Sequence, residues 1–275
     1  MTTLFDLTYK LARLLKIVEE GTATGGSTTT LIDTVERTED NDYWLGGTVF
    51  IKHDSAGAGA APEKEYSYVT GNVSSTGVVS LRSTLTAAIA AGDEYAIAKP
   101  RYPLNQLIQA INEVLGRVDK VDITTVEIAD MQTEYNLPTD LLSLKQVWIA
   151  TDSDADANLW QRVYDWDMQR TAVGTADKLI FMRQMASGYA VKLVYTSTHS
   201  VLRVATDKLD ESVTENHVIY NAAVACLLWR KAKVGDSDET VDDLLNYYQN
   251  KAAQMDLEYN QEIPKKTAKT INLVM

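Results

Sequence analysis

The stretch AIAKPRYPLNQLIQAINEVLGRV, residues 96–118, decides how the chain is organised. It starts as the end of a region rich in Gly, Thr, Ser and Val, passes Pro100 and Pro103, and continues as a helix. Leu104, Leu107, Ile108, Ile111, Val114, Leu115 and Val118 recur at three- and four-residue spacing, which gathers them on one helical face. Pro103 suits the first turn, where a missing N–H is no loss. Upstream, residues 3–20 carry the same pattern in Leu4, Leu7, Leu11, Leu14, Leu15 and Val18, with Arg13 and Lys16 off the stripe. Thr2 or Thr3 can cap that helix and Gly21 can end it. Both helices are short and one-sided, so each needs another helix to cover it. The region between them therefore reads as an insertion on a helical frame.

That region, 21–99, has strand-like runs at 28–35, 48–52, 65–71, 78–81 and 94–98. Gly25-Gly26, Gly46-Gly47, Gly71-Asn72 and Gly92-Asp93 punctuate them, and 55–62 (SAGAGAAP) has the composition of a flexible loop. Short strands at such spacing predict a small closed barrel or sandwich. A second β-rich region covers 121–199. Ile123, Thr125 and Glu127 alternate there with Thr124, Val126 and Ile128, and strands are expected at 133–137, 145–150, 159–164, 178–182 and 189–195. Trp148, Trp160, Trp166 and Phe181 give this sheet a large aromatic content. Two helices follow. Residues 215–234 are apolar nearly all round up to Arg230, Lys231 and Lys233, and 240–259 are amphipathic through Val241, Leu244, Leu245, Tyr248, Ala252, Met255 and Tyr259. A turn at 235–238 makes them an antiparallel hairpin.

The expected fold class is thus α+β. A helical frame (N-terminal helix, central helix, C-terminal hairpin) carries an inserted small β-barrel or sandwich, a second antiparallel β region and an extended tail. The domain reading is 1–20 for the first helix, 21–99 for the inserted module, 100–262 for the core and 263–275 for the tail.

Composition narrows the function. A hydrophobic content of 45% predicts a packed core. No run approaches the roughly 18 apolar residues of a membrane span. MTTLFDLTYKLARLLKIVEE is broken by Asp6, Lys10, Arg13 and Lys16, unlike the apolar core of a signal peptide. The one cysteine, Cys226, has no internal partner and sits in an apolar helical run, which fits core packing in a reducing compartment. A net charge of −12 speaks against tight reading of DNA, which needs phosphate-neutralising cations, but does not exclude a surface past which DNA slides without sticking. The acidic run Asp236, Asp238, Glu239, Asp242 and Asp243 fits a helix N-terminus. Tyrosine outnumbers phenylalanine, 14 to 3, a bias that favours surfaces half-buried against partners.

No catalytic constellation emerges, and neither an enzyme nor a cofactor or metal is expected. His53, His199 and His217 lack a second ligand at metal spacing. The Gly-rich 22–27 (TATGGS) precedes a strand rather than a helix and makes a poor phosphate cradle. Asp152, Asp154 and Asp156 resemble the start of a calcium loop, but Ala157 and Val163 stand where its Gly and Glu belong. Asp165 and Asp167 flank Trp166; on a strand the acids share one face and the ring takes the other. With Trp160 they form the basis of an alternative, carbohydrate-binding or carbohydrate-hydrolysing reading.

The tail, IPKKTAKTINLVM, carries three lysines and no acid, then closes on apolar residues. It is too short and polar to bury itself, and reads either as a frayed end or as a docking strap that orders on a partner.

Taken in order, the helix YPLNQLIQAINEVLGRV, the phrase TEYNLPTDLLSLKQVWI, the run KLIFMRQ through GYAVKLVYTSTHS and the helical hairpin resemble head-to-tail adaptor proteins of tailed bacteriophages over about residues 100–260. The carrying motifs are Tyr135, Leu137 and Pro138 entering a strand, and Val194-Tyr195 ending one. The insertion is similar to a small β module of phage virion proteins. The resemblance implies a non-enzymatic protein of the virion neck, made in the host cytoplasm. It implies a ring, twelve-fold in such adaptors, beneath the portal, a stopper or tail protein on the other side, and double-stranded DNA passing through without sequence-specific binding. It also implies a C-terminal segment that grips the portal, here Pro264, Lys265, Lys266, Lys269, Ile271, Leu273, Val274 and Met275. Tail completion, distal tail and decoration are the alternative phage roles.

Overall fold

The computed structural model describes residues 1–127, 133–150, 160–169, 177–182, 190–234 and 239–262. The chain is mixed α+β and divides into two compact units, Met1–Gly116 with Ser200–Glu258, and Arg117–His199.

In the first unit, helix α1 (Leu4–Leu14) opens on a capping box in which Thr3 and Asp6 satisfy each other's backbone N–H groups. Further N–H groups of its first turn are taken by the segment ahead of the C-terminal helices: Leu4 donates to the Asp207 carbonyl at 2.8 Å and Phe5 to that of Ala205 at 3.0 Å. The helix is shorter than its periodicity predicts. Leu15 caps it, Lys16 turns the chain with φ 54°, and Val18–Thr22 is strand β1 rather than a last helical turn. The cause is non-local. β1 pairs antiparallel with a strand late in the insertion, from Val18 opposite Ala98 to Thr22 opposite Glu94.

The inserted module continues with β2 (Gly25–Gly26), β3 (Thr30–Ile32), β4 (Thr48–His53), β5 (Tyr66–Val73), β6 (Val78–Leu81) and β7 (Glu94–Ala98). They form one antiparallel sheet ordered β1-β7-β4-β5-β6-β3-β2. The two ends of that order, β1 and β2, are separated in the chain by Ala23 and Thr24 alone. Strand β3 stops at Ile32, short of the predicted 35, because the Asp33 Oδ1 accepts the Val35 and Glu36 N–H groups and turns the backbone out of the ladder. Leu31, Trp44, Val49, Ile51, Val69, Val79, Tyr95 and Ile97 make the module's core.

Helix α2 (Leu104–Leu115) buries Leu104, Leu107, Ala110, Ile111, Val114 and Leu115 and is capped by Gly116, so it ends three residues before the predicted 118. It packs on α3 (Glu215–Val234), and α1 packs on both. On α3, Val218, Ile219, Ala222, Ala223, Cys226 and Leu227 are buried, and the small side chains among them admit close helix approach. Helix α4 (Glu239–Glu262) buries Val241, Leu245, Tyr248 and Ala252. It is tied by Tyr248, whose hydroxyl donates to the Leu14 carbonyl at 2.6 Å, and by Lys231 with Asp242 at 2.8 Å. The turn at 235–238 lies outside the described residues.

The second unit is two antiparallel sheets on one core. β8 (Asp119–Glu127), β10 (Leu141–Ala150), β11 (Trp160–Val163) and β14 (Ala190–Thr198) form the sheet β11-β10-β14-β8. β9 (Glu134–Asn136), β12 (Trp166–Gln169) and β13 (Lys178–Phe181) form the sheet β12-β13-β9. Leu144, Val147, Val191, Leu193 and Tyr195 from the first meet Leu179 and Phe181 from the second, with Leu137 beside them. Each such buried aliphatic or aromatic side chain contributes roughly 1.5–3 kcal/mol of transfer free energy.

Candidate functional site

Among the described residues, the first unit holds an open groove of about 380 Å³ lined by Tyr66, Tyr68, Leu104, Asn105, Ile108 and Arg203, with Ser67, Ser83 and Gln109. Alternation along β5 builds one wall, since Ser67 and Val69 turn into the module's core while Tyr66 and Tyr68 take the other face. Ser67 is held by Ser83, whose N–H donates to the Ser67 hydroxyl at 2.9 Å. The first turn of α2 builds the second wall. Its N-cap is Pro103, which has no capping side chain, and the Tyr68 hydroxyl accepts the Asn105 N–H at 2.8 Å in its place. Tyr66 stacks on Phe5 of α1, ring centres 6.4 Å apart and nearly parallel, and meets Phe50 edge-on at 6.2 Å.

The chemistry of this groove is that of contact. Burial, with the Asp207 charge adding to it, pushes the Tyr66 phenol up to about 12. It stays protonated near neutral pH, and among the described residues its hydroxyl has no hydrogen-bond partner. Arg203 is the one charged residue among those lining the groove, which include no carboxylate, imidazole or thiol; the Asp207 carboxylate acts on Tyr66 from outside that lining. The arrangement can hold an apolar or hydrogen-bonding segment; it offers no general base.

A second polar constellation, inside the inserted module, escaped the sequence reading. Arg37, 3% exposed, donates through Nε to the Tyr95 hydroxyl at 2.7 Å and through Nη1 to Glu19 and Glu39 at 3.1 and 3.0 Å. Its guanidinium lies 5.3 Å from the centre of the Trp44 ring and 5.6 Å from that of Tyr95. Tyr95 in turn donates to the buried Asp33 at 2.6 Å. Burial and the hydrogen bond to Asp33 hold the Tyr95 phenol well above its ordinary range, against the pull of Arg37. These contacts clamp β1, the 33–44 loop and β7 together, while among the described residues Glu39 Oε2 and the Trp44 indole N–H are buried with no hydrogen-bond partner. The only sequence signal is an arginine set among acids at 36–42 (ERTEDND), which reads as a solvated loop.

The remaining candidates are scattered. Trp160 and Trp166 stand on different sheets. The Trp166 indole donates to the Val163 carbonyl at 3.1 Å and its ring packs on the core, while Asp167 is exposed and accepts the Met168 N–H at 2.8 Å. Asp165 is exposed in the turn ahead of β12, so acids and rings do not converge on a sugar platform. His53 meets Glu63 at 3.1 Å, His217 meets Asp256 at 3.1 Å, and His199 is buried. No group of three metal-ligating side chains exists among the described residues. Cys226 is buried on α3, and that burial pushes its thiol up to about 12, which makes it inert. Among the described residues no helix is long and apolar enough to cross a membrane. Asp152, Asp154 and Asp156 lie outside the described residues, as does the tail from Pro264 to Met275.

Residues 83–270, more than half of the chain, match the model of the SU10 adaptor protein family. A comparison with curated proteins gives no match.

Proposed function

We propose, for a chain that belongs to the SU10 adaptor protein family, that it is a ring-forming head-to-tail adaptor of a tailed bacteriophage. It sits in the virion neck, joins portal to tail and leaves a channel for the genome. The observation that carries this reading is the extent of the family match, which takes in α2, the whole second unit, α3 and α4. The groove supports a non-enzymatic role, since its tyrosines and single arginine suit contact rather than proton transfer.

Each finer part of the reading has its own support. A ring of identical subunits needs a heterologous interface that closes, and the three mutually packed helices supply a stiff body for it. The sheet that begins with β1 and ends with its chain neighbour β2 supports a small closed barrel as the inserted module, a contact element for capsid or tail neighbours. The net charge of −12 supports a lumen lined by Asp and Glu, where phosphate is repelled and DNA passes with little friction. The basic tail, set on an acidic body, is the strap that grips the portal.

Electron microscopy of the purified chain mixed with its portal tests this reading. Class averages should show twelve-fold rings with a central channel. Six- or three-fold caps or tubes would overturn it in favour of a tail protein.

A further inference from the structure

We propose that the outward face of α4 is the surface through which one copy of this chain packs on the next, a proposal that rests on the ring reading above. The inner face of α4 is committed. Val241, Leu245, Tyr248 and Ala252 are buried, Tyr248 is bonded to α1, and Asp242 and Asp256 pair with Lys231 and His217 of α3.

The opposite face has the spacing of a second helix seam. Asn246, Asn250, Ala253 and Leu257 are all exposed and succeed one another at intervals of four, three and four residues, which lines them up along the helix. Tyr247, Gln249 and Gln254 flank them, also exposed. None of these seven residues is charged; the nearest exposed acids are Asp243 at one end and Glu258 on the rim. Solvated helix faces normally carry interspersed charges, and charged residues make up 23% of this chain. Three uncharged turns on an outer face are therefore the exception here. Leu257 and Tyr247, 68% and 53% exposed, place apolar surface in water, although the Tyr247 ring meets that of Tyr248 edge-on at 5.1 Å on one side.

Charge selects the occupant. The seven residues include no cation to neutralise phosphate, Lys251 standing alone on the rim, which disfavours nucleic acid, and they have too little apolar area to insert into a bilayer. Two copies of this chain, each at −12, repel overall, so contact between them is least opposed on a surface free of carboxylates. Ala253 allows close helix approach, while Asn246 and Asn250 supply side-chain amides that hydrogen-bond across a seam and fix its register.

The size of the face also fits a ring better than a free dimer. Three turns, about 18 Å long by about 10 Å wide, cover about 200 Å², against about 800 Å² per partner in a standard stable interface. Such a contact does not hold two free subunits together. It suffices when the portal arranges many copies side by side.

The test compares the full chain with Ala253→Glu and with the double variant Asn250→Glu/Ala253→Glu, each mixed with portal and imaged. Both sites are exposed, so circular dichroism and melting temperature should match wild type. Rings should fall at least tenfold with the single change and vanish with the double, while Ala253→Ser and Val35→Glu, a charge placed on an exposed site far from α4 in sequence, should assemble normally. Rings in normal yield from the folded double variant would overturn the assignment of this face. If the wild-type chain forms no ring, the ring reading falls and this proposal falls with it.

Discussion

Tyr95 is the residue on which the inserted module turns, since one hydroxyl serves both the buried Asp33 carboxylate and the Arg37 guanidinium. Backbone has been cleared for it: a Cβ on Gly21 would come within 2.7 Å of the Tyr95 oxygen. Replacing Tyr95 by Phe keeps the ring and removes only the oxygen, stranding two buried polar groups at once. We expect a loss of about 2 kcal/mol, read as a lowered urea midpoint with unchanged slope, and no change in the content of strand. A midpoint within error of wild type would mean that the hydroxyl is not part of the clamp. This constellation was not legible in the sequence for a physical reason. Tyr95 reads as an ordinary strand aromatic and Arg37 as one charge in an acidic loop, and the two stand 58 positions apart in sequence, brought together only by the folded module.

At the level of elements, what local chemistry determines was legible and what distant pairing determines was not. The run at 215–234 is a helix over the span its apolar pattern predicts, and β4, β6 and β7 fall on their predicted runs. The passage from α1 into β1 departs from its predicted run because Val18 continues a helical stripe in sequence while β7 claims it in space. The α3–α4 pairing carries a testable pH dependence. His217 is buried on α3, and that burial holds its imidazole below the ordinary range, opposed by Asp256 at 3.1 Å. The unfolded chain therefore takes up a proton at His217 at higher pH than the folded one, and stability falls as pH drops through about 6.5 toward the lower folded value. Melting temperature should decline between pH 7.5 and 5.5 in wild type, and decline less in His217→Asn. Equal declines would show that His217 does not contribute.

Over the whole molecule, charge is divided unequally, an acidic body followed by thirteen residues with three lysines and no acid. The body's two units each have their own core and hydrogen-bonded frame. The order of helices and β regions was legible in the sequence, because each unit's cores recur as periodic runs. The site was not, because the groove and the outer face of α4 are assembled from residues that are unremarked one at a time. The proposed strap at Pro264, Lys265, Lys266, Lys269 and Ile271–Met275 makes a separable claim: docking needs it and folding does not. A stop codon after Ile263 should leave circular dichroism and melting temperature unchanged and weaken portal binding at least tenfold. Because lysines lead the segment, the full chain's affinity should also fall with salt over the range where the Debye length shrinks from about 10 Å to about 3 Å, and the truncated chain should lose that dependence. Docking by the truncated chain with the affinity and salt response of the full one would assign the grip to the folded body instead, leaving the lysines no part in it.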